Sequence, residues 1–249
     1  MTDLHTHILP GMDDGSKDVE MSLEMLRLEK AQGVDTVVLT PHFYRDMENP
    51  DHFLRRRAVA YSILQERIQL LPESEQERLP KVSIGAEVAW VPNMSHWPEL
   101  KQLCYEGTNY LLLELPFRQW GSQLMQSIND LNSYGGVIPV IAHIDRYWNK
   151  QPKEMVNTLL NFGFPIQISA EAFQSRRESR RALKWLRDGK ASLLISDCHN
   201  MNSRPPNLAL AMETVIKKMG ESADTLFSQT DALLRSRANK PARKQNTNS

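Results

Sequence analysis

The sequence is poor in cysteine and has no excess charge of either sign. Cys104 and Cys198 are the only cysteines in 249 residues, too few for a framework of disulfide bonds. Because the chain also begins without the apolar segment of a secretory signal, a cytoplasmic protein is predicted. The 30 Lys and Arg residues balance 30 Asp and Glu residues, so the net charge is zero and no overall field favours nucleic acid as a partner.

Long apolar runs are also missing. The longest, such as residues 110–113 and 137–142, have the length of buried strands and are far too short to cross a bilayer, so membrane insertion is not expected. No glycine-rich turn follows the first strand-like segment, as it would in a doubly wound nucleotide-binding sheet. This absence favours a closed or nearly closed barrel over an open sheet.

Strand-like and helix-like segments alternate along the chain. The predicted strands cover residues 2–5, 36–40, 82–88, 110–115, 137–142, 165–169 and 191–196. The predicted helices lie near residues 17–32, 49–72, 122–134, 152–162 and 176–187, with Ser16 as candidate N-cap of the first. Strands that are apolar on both faces and are followed by crossovers indicate a parallel sheet covered by helices. The prediction is an α/β barrel over residues 1–235 and a polar, basic, disordered tail over residues 236–249.

Histidines and carboxylates gather where the predicted strands end. His5 and His7 alternate along the first strand and therefore share one face. The other members follow the first loop or a later strand: Asp14, His42, Glu87, Glu114, His143, Asp197 and His199. A carboxylate within an apolar run, such as Glu114, is costly unless it is paired or binds a metal. Since parallel strands deliver their ends to one side of a barrel, these residues are the candidate active site.

The donor types of this set point to metal ions. Imidazoles and carboxylates without thiolates suit manganese, iron or zinc. Nine candidate donors exceed the roughly four to six that one ion takes, so more than one ion is predicted. For any residue taken alone, a structural histidine or a salt-bridged carboxylate is the alternative, but their joint position at strand ends argues against it.

Two arginines follow the same strand ends. Arg146 comes three residues after His143 and Arg204 five residues after His199, so both can face the metal pocket and bind a phosphate. The alternative for each is an ordinary surface arginine. The arginine runs at residues 55–57 and 176–177 are interpreted as solvated helix faces.

A second phosphatase signature overlaps the last motif. Cys198 and Arg204 have the Cys-x5-Arg spacing of phosphatases that use a thiolate nucleophile. The intervening loop contains no glycine, and Pro205-Pro206 follows the arginine. Because a loop wrapped around phosphate normally needs glycine for close approach, this spacing is interpreted as fortuitous.

Several separated motifs together resemble those of the PHP (polymerase and histidinol phosphatase) superfamily. They are His5-x-His7 with Asp13-Asp14-Gly15, Thr40-Pro41-His42, Gly85-Ala86-Glu87, residues 141–147, and Ser196-Asp197-x-His199-Asn200 through Pro206. More narrowly, they are similar to the CpsB/YwqE-type bacterial tyrosine phosphatases that regulate capsule synthesis. The resemblance covers about residues 1–220, and the segment from Asn200 to Pro206 points to the tyrosine-phosphatase branch.

The resemblance implies a distorted (β/α)7 barrel and a trinuclear site that usually holds Mn²⁺, with iron, zinc or cobalt as substitutes. It assigns His5, His7, Glu114 and Asp197 to one ion, Asp14, His42 and His199 to a second, and Glu87, Glu114 and His143 to a third. In this assignment Glu114 bridges two ions. Arg146 and Arg204 match the phosphate-binding arginines of the family.

The activity implied is hydrolysis of phosphotyrosine by a metal-activated hydroxide, on a bacterial tyrosine kinase that controls capsular or exopolysaccharide synthesis. Asp145 or a metal-bound water is the candidate proton donor to the leaving group. A small phosphomonoester such as histidinol phosphate is the alternative substrate. A regulatory module with a degenerate site is the alternative in a different class, and retention of every ligand position argues against it.

Overall fold

A ring of short parallel strands forms the centre of the computed structural model, which describes residues 1–235. The strands are β1 (Thr2–Thr6), β2 (Thr36–Leu39), β3 (His42–Phe43), β4 (Lys81–Ile84), β5 (Glu87–Ala89), β6 (Tyr110–Glu114), β7 (Ile138–Ile141), β8 (Gln167–Ser169) and β9 (Leu193–Ile195). Their apolar side chains are buried on both faces, as parallel strands under a layer of helices require. The predicted tail over residues 236–249 lies outside the described residues.

Hydrogen-bonded pairing gives the orders β1-β2-β4, β3-β5-β6-β7 and β8-β9, all parallel. Single bridges from Ile141 to Ile166 and from Thr6 to Cys198 join these pieces. β2 continues into β3, and β4 into β5, after two-residue interruptions. Counting each interrupted pair once, the described residues form seven barrel positions, and the predicted parallel α/β barrel is confirmed.

Six of the described helices lie between strands, and two follow the last strand. They are α1 (Val19–Ala31), α2 (Pro50–Gln69), α3 (Glu73–Gln76), α4 (Ser122–Ser133), α5 (Lys153–Asn161), α6 (Arg176–Arg187), α7 (Leu208–Met219) and α8 (Glu221–Arg235). The five predicted helices are confirmed, with ends shifted by a few residues, whereas α3, α7 and α8 were not predicted. No helix within residues 1–235 is long and apolar enough to span a membrane.

The N-cap of α1 is a correction to the sequence prediction. The side chain of Asp18 accepts a hydrogen bond from the Met21 amide at 2.9 Å and caps the helix. The predicted cap, Ser16, instead donates its hydroxyl to the Asp18 carbonyl. Its amide donates to the carbonyl of His7, which folds the first loop back beneath that histidine.

Arg57 is the second correction, because it is buried and not part of a solvated face. Its guanidinium donates to the carbonyl of Gly85 at 2.7 Å and to that of Gln102 at 2.8 Å. Burial lowers its pKa to about 10. The Gly85 carbonyl belongs to the interruption between β4 and β5, so Arg57 fixes the backbone two residues before Glu87.

Candidate metal centre

All nine predicted donors meet at the ends of the strands. His5, His7 and His143 are fully buried, Glu87 and His199 are 1% exposed and Asp197 is 3% exposed. His42 and Glu114 are partly exposed, and Asp14 is exposed at the rim. An unbroken chain of contacts shorter than 4 Å links these residues. The strand ends therefore bring the nine predicted donors close together.

Glu87 occupies the middle of the cluster. Its Oε2 atom lies 3.1 Å from His5 Nε2, 3.2 Å from His7 Nε2 and 2.9 Å from His42 Nδ1. Its Oε1 atom lies 2.9 Å from His143 Nε2. Four imidazoles from three barrel positions thus surround one buried carboxylate, an arrangement that needs positive charge at its centre.

The tautomers of His5 and His7 strengthen this requirement. His7 Nδ1–H donates to Asp13 Oδ2 at 2.7 Å, and His5 Nδ1–H donates to Gln167 Oε1 at 2.9 Å. Both Nε2 atoms consequently present lone pairs when the rings are neutral, although they lie only 3.2 Å apart. Burial lowers the pKa of His5, but the Glu87 and Asp197 carboxylates outweigh it and raise that pKa overall. The site therefore attracts a cation.

Several buried atoms of the cluster have no hydrogen-bond partner among the described residues. They include Glu87 Oε2, His42 Nδ1 and His199 Nε2. Glu87 Oε2 and His42 Nδ1 lie close together, but the geometry is not that of a hydrogen bond. Leaving a buried polar atom unpaired costs about 1–3 kcal/mol. A metal ion bound by these atoms would remove that cost, so the residues present fit a metal site.

Three groups of donors are close enough to share an ion. They are His7, Asp14, His42 and His199; then His5, His7 and Glu87; and finally His42, Glu87 and Glu114. The first contains the trio that the resemblance assigned to one ion. Glu87 belongs to two groups and Glu114 to one, and both approach His143 Nε2, at 2.9 and 3.9 Å. In the geometry of the donors Glu87 is common to two groups, whereas the resemblance assigns the bridging position to Glu114.

The different positions of Glu87 and Glu114 follow from the shape of the barrel. Glu87 is the first residue of β5. It pairs directly with His42 on the neighbouring strand β3. Glu114 ends β6 and is level with Ala89, which places it two residues farther along the barrel axis. Sequence motifs carry no information on this stagger.

The two neighbouring aspartates have different functions. Asp13 is mostly buried, and besides His7 it accepts hydrogen bonds from the amides of His42 at 2.8 Å and Gly15 at 2.9 Å. Burial raises the pKa of Asp13, but these contacts lower it more, to about 2, so that it stays ionised. Asp14 instead faces outward, 3.8 Å from His42 Nε2 and 3.5 Å from His199 Nε2. Asp13 thus orients a donor, and Asp14 is positioned as one.

Gly15 allows this loop to approach the first strand. A Cβ atom at residue 15 would lie 2.1 Å from the His7 carbonyl oxygen and 2.9 Å from Asp13 Oδ1. No side chain fits in that space, so the Asp13-Asp14-Gly15 motif requires its glycine.

Sequence reasoning missed a pair of residues that support His5. Gln167, at the start of β8, is fully buried, and its Nε2 donates to the hydroxyl of buried Tyr105 at 3.3 Å. Its Oε1 is thereby turned towards His5 Nδ1. The signal available in the sequence was a lone glutamine between Ile166 and Ile168 in a predicted apolar strand. Such outer partners set the tautomer and direction of a metal-binding histidine.

Replacement of Gln167 by methionine is expected to weaken metal binding about 10- to 100-fold, because His5 would lose the acceptor that fixes its tautomer. Titration of the metal-free protein with Mn²⁺ measures this change. Gln69→Met, at an exposed position at the end of α2, is the matched control. Unchanged affinity in a folded Gln167→Met variant would contradict the orienting function.

His199 and His143 complete the cluster, and uncommon backbone conformations occur at His143 and Asp197. His199 Nδ1–H donates to the Asp197 carbonyl at 3.0 Å, which leaves Nε2 as a lone-pair donor. Burial lowers the pKa of His199 to about 3, so the ring is neutral. His143 and Asp197 have φ values of 28° and 55°, in the left-handed region that few non-glycine residues adopt. Such local strain is often found at functional sites.

Arg146 and Arg204 converge on one atom. Both guanidinium groups contact Asp197 Oδ2, Arg204 at 2.7 Å. The other oxygen of Asp197 faces His5 at 3.5 Å and His7 at 3.4 Å. Burial raises the pKa of Asp197, but the charges of His5 and Arg146 help to hold it far below its usual value. The arginine side chains remain 24% and 27% exposed, so further N–H groups can reach an anion at the rim.

The Cys198 thiol faces away from this cluster. Its side chain is 1% exposed and donates to Glu29 Oε1 at 3.5 Å. Burial, followed by the charges of Glu29 and Asp3, raises its pKa well above the usual value. A thiol of this kind is not a nucleophile near neutral pH.

The loop after Cys198 does not form a phosphate cradle either. The amides of Asn202, Ser203 and Arg204 all donate to the side-chain oxygen of Asn200. The amide of His199 donates to the Arg204 carbonyl at 2.8 Å. Because these N–H groups are satisfied within the loop, they cannot also surround a phosphate. The interpretation of the Cys-x5-Arg spacing as fortuitous is supported.

A barrel of parallel strands whose carboxyl ends carry a buried cluster of histidines and carboxylates is a PHP-like α/β barrel. Comparison with known protein families then identifies the family to which the chain belongs. The chain belongs to the family described as "Capsular polysaccharide synthesis, CpsB/CapC", whose model matches residues 1–234.

Individual relatives are similar over nearly their whole length. The tyrosine-protein phosphatase CpsB of Streptococcus agalactiae serotype III (strain NEM316) is 29% identical over 239 residues, covering 91% of this chain and 95% of the relative. The tyrosine-protein phosphatase YwqE of Bacillus subtilis (strain 168) is 28% identical over 247 residues, covering 94% and 91%.

Solved structures agree with this placement. A crystal structure from work on YwqE of Bacillus subtilis and CpsB of Streptococcus pneumoniae, described as unique metal-dependent tyrosine phosphatases, matches with a TM-score of 0.79 and 26% identity over 95% of both chains. The histidinol phosphate phosphatase of Lactococcus lactis matches with a TM-score of 0.50 and 14% identity, over 88% of this chain and 94% of the other. The similarity to the histidinol phosphate phosphatase shows only that the two proteins share a fold.

Proposed function

We propose that this protein is a metal-dependent tyrosine-protein phosphatase that acts in capsular polysaccharide synthesis. The observation that carries the proposal is the buried carboxylate of Glu87, surrounded by four histidines, with Arg146 and Arg204 beside it. Family membership and the similarity to CpsB and YwqE support the same activity.

The donor set fits three Mn²⁺ ions, which iron, zinc or cobalt could replace. The nine candidate ligands are His5, His7, Asp14, His42, Glu87, Glu114, His143, Asp197 and His199. When bound, such ions lower the pKa of coordinated water and neutralise charge on phosphoryl oxygens.

The residues of the chain itself bind and orient the substrate. Arg146 and Arg204 are placed to hold non-bridging phosphoryl oxygens through two parallel N–H contacts each. In doing so they would exchange part of their contact with Asp197 Oδ2 for the substrate. Burial of the cluster excludes bulk water and strengthens these charge interactions.

The leaving group needs little help from an acid. Tyrosine has a pKa of about 10, so its phenolate leaves more readily than an alkoxide. Asp145, the candidate donor, accepts hydrogen bonds from the amide of Ser169 at 2.8 Å and from its hydroxyl at 2.6 Å. Both carboxylate oxygens are engaged as acceptors, so Asp145 orders the end of β8 and is not proposed as the acid.

The proposed substrate is a phosphotyrosine on a bacterial tyrosine kinase that regulates capsule or exopolysaccharide synthesis, and the proposed location is the cytoplasm. The test compares hydrolysis of a phosphotyrosyl peptide with that of histidinol phosphate, each with metal-free enzyme and after addition of Mn²⁺. Metal-dependent turnover of the peptide is expected. Turnover of histidinol phosphate with none of the peptide would refute the proposal.

Arg204→Ala is expected to lower kcat/KM for a phosphotyrosyl peptide about 100-fold, because a charged contact to the phosphoryl group is lost. Arg204→Lys should recover only part of this loss, since lysine cannot make two parallel contacts. Steady-state kinetics measure both effects. Arg180→Ala, on the exposed surface of α6, is the control for loss of one positive charge. Near-normal kcat/KM in Arg204→Ala would contradict the assignment of Arg204.

A further inference from the structure

A groove leads away from the metal centre along α2. Its inner part, a cavity of about 520 Å³, is lined by Asp14, His42 and Tyr44 and by residues of the loop before α2. Its outer part, of about 590 Å³, lies between α2 and the first loop. Both parts share Met12 and Arg56 as lining residues, so the groove is continuous with the active site.

Side-chain contacts fix the position of Arg56, where the two parts of the groove meet. Arg56 donates to both carboxylate oxygens of Glu48, at 3.0 and 2.9 Å, and to the Met12 carbonyl at 3.0 Å. His52 also contacts Glu48. These contacts connect α2 to the loops that carry Asp14 and His42. The groove is therefore built on the same loops as the metal centre.

The outer part offers both apolar and positive contacts. Val59 and Ile63 lie one helical turn apart on α2 and are 61% and 49% exposed. Lys17 and Arg55 are exposed, and neither side chain has a hydrogen bond or ion pair with any residue in the part of the chain that the structure describes. The carboxylate in this part, Asp18, is engaged in capping α1.

The inner part suits an aromatic ring. Tyr44 lies with its ring centre 5.2 Å from that of His42 and forms part of the wall. Met47, which is 80% exposed, lies beside it in the lining. Methionine and aromatic side chains are favourable contacts for a phenyl group.

We propose that this groove binds the polypeptide segment on one side of the substrate phosphotyrosine and selects an acidic residue near Lys17 and Arg55. An apolar residue of the same segment would pack on Val59 and Ile63. The proposal rests on the proposed phosphatase function. From His52 to Ile63 the helix rises about 16 Å. That length corresponds to about five residues of extended chain.

Charge complementarity and continuity favour a substrate segment as the occupant. A small phosphomonoester would fill only the space at the metal ions and leave Val59 and Ile63 uncovered. Unpaired positive side chains beside exposed apolar ones match an acidic segment that carries an apolar residue. Binding there would act on KM and on peptide choice rather than on the chemical step.

The test is a charge reversal in the outer part. Lys17→Glu combined with Arg55→Glu is expected to raise KM at least about tenfold for a phosphotyrosyl peptide with acidic flanking residues, because attraction becomes repulsion. Hydrolysis of p-nitrophenyl phosphate, which is too small to reach the groove, should change less than about twofold. Val59→Asp should weaken binding of the same peptide. Arg78→Glu combined with Arg180→Glu, at exposed positions beyond α3 and on α6, is the charge-matched control.

Peptides extended from phosphotyrosine in only one direction add a second test, since the groove leaves the site on one side. Only one of the two extensions should lower KM. If the double variant leaves peptide KM unchanged while p-nitrophenyl phosphate is hydrolysed normally, the groove proposal fails and the phosphatase function stands. A dimer that dissociates on Val59→Asp, with peptide kinetics unaltered, would make a second copy the occupant and would also overturn it. Wild-type protein inactive on every phosphotyrosyl substrate would refute the phosphatase function instead.

Discussion

Glu87→Gln is expected to lower kcat/KM at least about a thousandfold, the largest effect of any single substitution considered. The amide keeps the shape of the side chain but removes the negative charge that four histidines surround. Glu87 is a member of two of the three groups of donors, so one substitution weakens both groups. Elemental analysis of the purified variant should show a loss of bound metal in parallel with the loss of rate.

Two comparisons make this result specific. Glu106→Gln, at an exposed position that accepts a hydrogen bond from Ser83, controls for the loss of one carboxylate. Glu114→Gln should have a smaller effect than Glu87→Gln, because Glu114 belongs to a single donor group and is partly exposed. A greater loss of metal in Glu114→Gln than in Glu87→Gln would instead support Glu114 as the bridging ligand, as the resemblance implies. Thermal unfolding of each metal-free variant shows whether it is folded.

Removal of metal is expected to abolish activity, by at least about a thousandfold, whereas Cys198→Ser should retain it within about threefold. The chelator removes the charge on which the buried donor cluster depends. The serine substitution only replaces a buried thiol whose elevated pKa keeps it protonated. Readdition of Mn²⁺ should restore the rate of the chelated wild-type enzyme.

The thiolate mechanism makes the opposite pair of predictions. In that case Cys198→Ser would be inactive and a chelator would have no effect. Cys104→Ser serves as the matched control, because Cys104 is also buried and its thiol donates only to the Leu100 carbonyl. Chelator resistance together with an inactive Cys198→Ser variant would eliminate the metal mechanism.

Much of the fold could be predicted because its signals are local. Each barrel strand is an apolar run, and most helices have a clear end, such as Asn49 before α2 or the glycines after α5 and α6. The interruptions between β2 and β3 and between β4 and β5 were not predicted, since Thr40-Pro41 and Gly85-Ala86 interrupt runs that continue on the other side. Arg57 was wrongly predicted to be solvated. Its burial depends on contacts with the Gly85 and Gln102 carbonyls, which the sequence pattern of α2 does not show.

The donor residues could be predicted from their place after each strand, but their grouping could not. How close Glu87 and Glu114 lie to each group of donors depends on the stagger between β5 and β6, a property of the closed barrel. The contacts of Gln167 and Tyr105 with His5 cross the barrel interior between residues far apart in sequence. The different functions of Asp13 and Asp14 likewise depend on which way a short loop turns.

Closure of the barrel between β1 and β9 has a consequence for how the protein folds. Asp197 and His199 reach His5 and His7 only when the amide of Asp197 donates to the His5 carbonyl and that of His7 to the Cys198 carbonyl. About 190 residues separate these partners, so contacts of very high sequence separation must form before the donor set is complete. During synthesis the chain emerges with its first ligands exposed and their partners not yet made. High-affinity metal binding is therefore a late event that follows assembly of the barrel, and its free energy stabilises the closed form over every partly folded one.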